Sequence, residues 1–204
     1  MRLFFYLFAF IVLTHSVNVY GQDTITLLGG NTIIAKVNSV DSLNVNYTLQ
    51  KKKSAKDKFV SSEMVFDIRY ENGTTDTLYY KSPEMDHYLT PEEMHLFILG
   101  EQDAKADYHP KMTAILGVVV GAGLGYLLRD GFYVAGVPLV YTIGAGVSKI
   151  DIKNINQRST TILSHPAYQE GYIKVARSKK AFNALAGSLL GTIIGVGIGK
   201  SQDQ

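Results

Sequence analysis

Two Glu-x-x-His pairs are the residues in this chain whose spacing most resembles a reactive site: Glu84 with His87, and Glu92 with His95. On a helix, positions three apart share a face. Two helices that each carry such a pair, with glutamates from two others, hold a di-iron centre. Here both pairs fall in one short segment, ahead of any helices that could complete a bundle, so they read as surface residues. His109 and His165 are isolated, and no G-x-S-x-G, H-E-x-x-H or phosphate-loop motif occurs. There is no cysteine, which excludes disulfides, thiolate metal sites, a thiol nucleophile and a lipidated N-terminal cysteine. The expectation is a protein that is not an enzyme and carries no cofactor or metal. Lys51, Lys52, Lys53, Lys56 and Lys58 form a basic run. No aromatic residues interleave it as stacking platforms, and the net charge is only +2. It reads as a solvated hairpin loop, with no nucleic-acid partner.

The more informative pattern is glycine. Met112 to Leu128 carries no charge and places Gly117, Gly121 and Gly125 at every fourth position. Phe182 to Gly199 is also uncharged and repeats the spacing at Gly187, Gly191, Gly195 and Gly199. Four residues advance about 400° around a helix, so each set forms one slowly drifting groove. In lipid such grooves let two backbones approach closely. In water each glycine would cost about 1 kcal/mol against alanine. Both blocks are therefore expected to be transmembrane, with the glycine-faced helices packing together in a homo- or hetero-oligomer. A third apolar block, Gly131 to Val147, contains Pro138 and follows the first after only Arg129 and Asp130. The basic residues after it, including Lys149, Lys153, Arg158 and Lys174, favour an inner-facing loop. That favours two spans with 131–147 as a re-entrant or interfacial element; three spans is the rival. Arg177, Lys179 and Lys180 immediately precede the last block and suit anionic headgroups or serve as a topology signal.

The elements that must carry these residues are legible in outline. Arg2, the apolar run Leu3 to Leu13 and the small residues near Gly21 have the layout of a secretory signal peptide over 1–21. Residues 22–82 alternate with period two. Ile25, Leu27, Val37, Leu43, Val45, Phe66, Ile68 and Tyr70 are the expected core, and Asn72-Gly73 is a hairpin turn. About five short strands suggest a small SH3-like or Sm-like barrel. Thr90-Pro91-Glu92-Glu93 is a capping box, predicting a helix from Pro91 to about Asp107 within a linker over 83–110. Residues 111–204 form the membrane region. Ile150, Ile152 and Ile155 suggest a short strand before a helix that starts near Pro166. The fold class is α+β: a small β-barrel module followed by glycine-rich transmembrane helices.

The stretch Asp23-Thr-Ile-Thr-Leu, Gly30, Ile33, Ala35-Lys36-Val37, followed by Ile68-Arg-Tyr70-Glu-Asn72-Gly73-Thr74, resembles a β module common in exported membrane proteins of Bacteroidota-type bacteria. Gly100-Glu101-Gln102-Asp103-Ala104 and Gly171-Tyr172-x-x-Val175-Ala176-Arg177 resemble later elements of the same group. The resemblance implies export and a Gram-negative envelope, and transfers no catalytic residue. The expected role is a membrane-anchored envelope protein, in the inner membrane or alternatively the outer, with its β module in the periplasm as an interaction module and the lipid bilayer as a partner. The alternative is a pore-forming or transport accessory subunit, although no apolar block offers an ionisable lining at mid-depth.

Overall fold

The computed structural model describes residues 22–51, 54–153 and 157–202. The expected signal peptide, Lys52, Lys53 and Ile155 lie outside the described residues. The chain divides into two compact units. One runs through Thr26 and resumes over Thr32–Leu78; the other comprises Leu27–Asn31 and everything from Tyr79 onward.

The first unit is a six-stranded antiparallel sheet: β1 Asp23–Leu27, β2 Thr32–Val40, β3 Asn44–Lys51, β4 Ser54–Ser61, β5 Val65–Arg69 and β6 Thr75–Thr77. Their order is β4-β3-β2-β1-β5-β6. Among the described residues nothing pairs β4 with β6, so the sheet is open and is not a closed barrel. A strand as short as β6 offers too little backbone to seal a seam. Ile25, Val45, Phe66 and Ile68 are buried as expected, and Ala35, Tyr47 and Val65 join them. Val37, Leu27 and Tyr70 are only half-buried. Leu43 is 72% exposed, because β3 begins one residue later. Asp41 Oδ1 accepts the backbone N–H groups of Leu43 (2.9 Å) and Asn44 (2.8 Å), holding Leu43 in the turn before the alternation starts. Asp23 ties the sheet together: one carboxylate oxygen accepts Val37 N–H at 2.7 Å and the other Glu71 N–H at 2.9 Å.

The basic run is not simply a loop. Lys56 and Lys58 lie on the edge strand β4, opposite Leu49 and Tyr47, with exposed side chains. Lysine along an edge blocks further strand addition, because a second chain would have to desolvate the ammonium groups. At the other edge, Asn72-Gly73 turns β5 into β6. Gly73 takes φ +85°, and Asn72 Oδ1 accepts Thr74 N–H at 2.9 Å.

The second unit is helical. Helix α1 spans Pro91–Asp107, α2 Lys111–Leu127, α3 Val137–Val147, α4 Thr160–Ser164 and α5 Pro166–Ser201; a 3-10 turn over Phe132–Gly136 leads into α3. The capping box closes α1 as its residues require: Glu93 N–H donates to Thr90 Oγ1 and Thr90 N–H to Glu93 Oε2. The Thr90 N–H bond also holds the Glu93 carboxyl below its ordinary value. Pro110 stops α1, and α2 leaves at 61° to it. No strand forms around Ile150 and Ile152. They pack instead against the Ala104, Tyr168, Tyr172 and Ala176 cluster.

Candidate functional site

Helices α1 and α5 cross where both carry glycine. A Cβ on Gly100 would meet the backbone of Tyr168 and, at 2.9 Å, the nitrogen of Tyr172; a Cβ on Gly171 would meet the carbonyl of Phe97. The two segments singled out by resemblance, around Gly100 and Gly171, are thus the two sides of one contact. The glycines let polar side chains converge beside it. Asp103 is buried and takes a two-pronged ion pair from Arg158, Nε to Oδ2 and Nη2 to Oδ1, both 3.1 Å. Tyr168 Oη donates to Asp103 Oδ2 at 2.9 Å. Desolvation, with the Asp103 carboxylate as the next cause, pushes the Tyr168 hydroxyl well above its ordinary range, so it stays a donor. Glu101, also buried, pairs with Lys174 at 2.8 Å, and its second oxygen has no partner among the described residues. Lys174 lies over the Phe97 ring. Lys105 donates to Gly29 O at 2.6 Å and Asn31 Oδ1 at 2.9 Å, fastening the turn Leu27–Asn31 to α1.

Where α1 ends, its last carbonyls lose their helical donors. Lys179 reaches them: its ammonium donates to the carbonyls of Ala104 (3.2 Å), Lys105 (2.6 Å) and Tyr108 (3.2 Å). A cation at a helix C-terminus also meets the negative end of its dipole. Of the three basic residues expected to flank a membrane, Lys179 therefore braces the α1–α2 break. Lys180 makes one longer bond, 3.3 Å, to Lys149 O, and Arg177 is exposed.

The glycine ladders face each other within the chain. Gly117 and Gly121 sit on the backbone of α5 around Ser188, and Gly125 on Thr192; Gly187 sits on Ala114, Gly191 on Val118 and Gly195 on Ala122. Gly199 meets the side chains of Arg129 and Tyr126. Backbone contact this close leaves no room for a Cβ at the other six glycines. Ser188 and Thr192, enclosed between the helices, return their hydroxyl protons to their own helix, at Ala184 O (2.7 Å) and Ser188 O (2.8 Å). With both faces covered by each other, an oligomer made through these glycines would need α2 and α5 to part.

Residue numbers rise together along this contact, 114 with 187 and 122 with 195, so α2 and α5 are parallel. The chain must therefore return along the full length of α2 before α5 begins its apolar half. The segment 132–147 makes that return: Tyr141 Oη donates to Thr113 O at 2.9 Å near the start of α2, and Lys149 O lies at Lys180. The segment 132–147 thus runs back beside α2, and α2 and α5 are parallel rather than antiparallel.

The surface of this three-helix layer is inverted relative to a water-soluble bundle. Its interior is mostly glycine, alanine, serine and threonine, with Val137 and Pro138 at the start of α3, while Val119, Leu127, Val140, Ile143 and Ile193 face outward. Charged residues bound it: Lys111 and Lys180 at one end, Arg129, Asp130 and Lys200 at the other. Lys180 and Lys200 lie about 30 Å apart along α5 at 1.5 Å per residue. Phe132 (90% exposed) and Tyr133 (78%) stand at the second end, where aromatic residues of membrane proteins collect. By length and composition α5 alone is sufficient to cross a membrane; α1 with α2 qualifies only as a bent pair, and Phe132–Val147 is shorter.

The Glu-x-x-His residues do not converge. Glu84 lies in a 3-10 turn, His87 stacks on Tyr79 with ring centroids 4.7 Å apart, and Glu92 and His95 lie exposed on α1. Among the described residues no group of three or more such side chains is placed to hold a metal. Sequence reasoning missed the Asp103–Arg158–Tyr168 cluster, whose members lie 55 and 65 positions apart. The available signal was the pair of glycine-containing segments, each beside ionisable residues in an otherwise helical pattern. Comparison with family models, with curated proteins and with solved structures finds no match to this chain.

Proposed function

We propose that the chain is a non-enzymatic, membrane-anchored envelope protein. In this reading α2, 132–147 and α5 form a three-crossing anchor, and the β sheet serves as its interaction module outside the bilayer. The observation that carries the reading is the inversion: large aliphatic side chains face outward around a core of small residues. In water that surface would cost about 25 cal/mol for each Å² of apolar area exposed, whereas in hydrocarbon it costs nothing. The charged ends fit a hydrocarbon core of about 30 Å. The ion-paired α1–α5 crossing belongs in water, since its charges would be expensive within lipid. Export rests on the apolar run Leu3 to Leu13 with Arg2. It would put the β module and the Ser148–His165 segment on the periplasmic side. The basic residues gathered at that end favour a second reading with the same fold and the opposite orientation, because inner-facing segments are usually the basic ones. Alkaline carbonate extraction followed by flotation tests the anchor: the full chain should rise with the membranes. Recovery in the extracted soluble fraction would remove the membrane reading in both orientations.

A further inference from the structure

A groove of about 550 Å³ opens between α2 and α3 on the outer face of the helical layer. Leu116, Val140, Gly144 and Ala145 form its apolar walls. Thr113, Tyr141, Ser148 and Lys180 line it as well; Ser148 and Lys180 lie toward the end bounded by Lys111, and Tyr141 stands beside Val140 with its hydroxyl at Thr113. The groove is walled mostly by apolar atoms, and among the described residues its one cationic group, Lys180, stands at the end bounded by Lys111. Tyr141 has its hydroxyl proton on Thr113 O, and Ser148 has its own on Ala145 O. Lys180 is different: among the described residues its ammonium makes a single bond, at 3.3 Å, so two of its three donors stay available. The neighbouring Lys179, with three carbonyls, has no such capacity. Lys111 and Lys149 are exposed at the same end, opposed by Asp151.

We propose that this groove holds an anionic phospholipid of the surrounding bilayer, with an acyl chain along Leu116 and Val140 and its phosphate on Lys180. The proposal rests on the membrane reading above. Charge complementarity selects the headgroup, because a lysine at headgroup depth with open donors attracts a negative lipid over a zwitterionic one. Gly144 lines the channel, and a Cβ placed there meets nothing within 4 Å, so a side chain at 144 starts out in open space beside the groove.

The test uses the full chain, purified in mild detergent and offered equimolar phosphatidylglycerol and phosphatidylcholine, with retained lipid read by native mass spectrometry. The wild type should retain phosphatidylglycerol by about fivefold over phosphatidylcholine, the preference of one lysine near the surface. Lys180→Gln should abolish that preference, and Lys180→Arg should restore it. Gly144→Leu should lose retained lipid while its melting temperature stays that of the wild type. Equal retention of the two lipids by the wild type, or undiminished phosphatidylglycerol on Gly144→Leu, overturns the proposal. So does displacement of the lipid by inorganic phosphate alone, which would mark a headgroup site without an acyl groove. Carbonate extraction separates the two failures: a chain that stays in the membrane but shows no lipid preference retains its anchor and loses only this site.

Discussion

At the scale of single residues, the acid cluster makes the sharpest demands. Asp103 is buried and accepts from both Arg158 and Tyr168, so removing it takes a charged acceptor from the guanidinium and from the hydroxyl. Truncating one member of such a pair costs about 3 kcal/mol or more. Arg158 is one-third exposed and recovers some hydration, which brings the expectation for Asp103→Ala to about 2–3 kcal/mol. Denaturant unfolding of the detergent-solubilised chain measures it, with Asp103→Asn expected to fall between the two. Tyr168 gives the cluster a pH signature. Its hydroxyl is held above the ordinary value of 10.0, first by desolvation and then by Asp103. A raised folded pKa means the contribution is complete below pH 10 and is lost as pH rises beyond it. Melting temperatures between pH 8 and 11 should therefore fall more steeply for the wild type than for Tyr168→Phe. Parallel curves would show that the hydroxyl gains nothing from its site.

At the scale of elements, what sequence could predict followed from local rules. The bounds of α1 came from a capping box and a proline, both contained in the segment itself, and they coincide with the observed Pro91–Asp107. Leu43 defeated the alternation because a neighbouring carboxylate, not hydrophobicity, fixed the start of β3. Strand β4 was missed because Ser54 to Lys58 offers no apolar alternation; it forms by pairing along the whole of β3. The glycine spacing was visible, but its direction was not. Spacing along one helix says nothing about whether its partner runs parallel, and in the membrane reading that choice decides how many times the chain would cross. Gly191 lies on the Val118 backbone, whereas Gly123 has open space around it. Gly191→Ala should destabilise the chain by about 1–3 kcal/mol through overpacking. Gly123→Ala should be neutral or slightly stabilising, since alanine is the better helix former. Thermal unfolding in detergent compares them, and equal effects would mean that the close approach of α2 to α5 does not govern stability.

At the scale of the whole molecule, the parallel course of α2 and α5 becomes a statement about sides. Asp130 follows α2 and Ser201 ends α5, so both belong at one end; Lys153 follows the return segment and belongs at the other, with the start of α2. In the membrane reading proposed above, no apolar block separates Ser54 from α1, which would put Ser54 on the same side of the bilayer as Lys153. Single cysteines at Ser54, Asp130, Lys153 and Ser201 meet no competing thiol, because the chain has none of its own. A membrane-impermeant thiol reagent, applied to cells with a permeabilised outer membrane, should label them in two pairs: Ser54 with Lys153, and Asp130 with Ser201. Which pair reacts from outside decides the orientation. Labelling of the first pair supports export of the β module, and labelling of the second puts the basic end in the cytoplasm, as the charge bias favours. A chain crossing only twice would instead group Lys153 with Asp130, which the bond from Tyr141 to Thr113 and the contact of Lys180 with Lys149 oppose. Labelling at all four positions would mean that nothing crosses. The aliphatic surface of α2, α3 and α5 would then have to be covered by protein, and the search for a partner would move from lipid to a second chain.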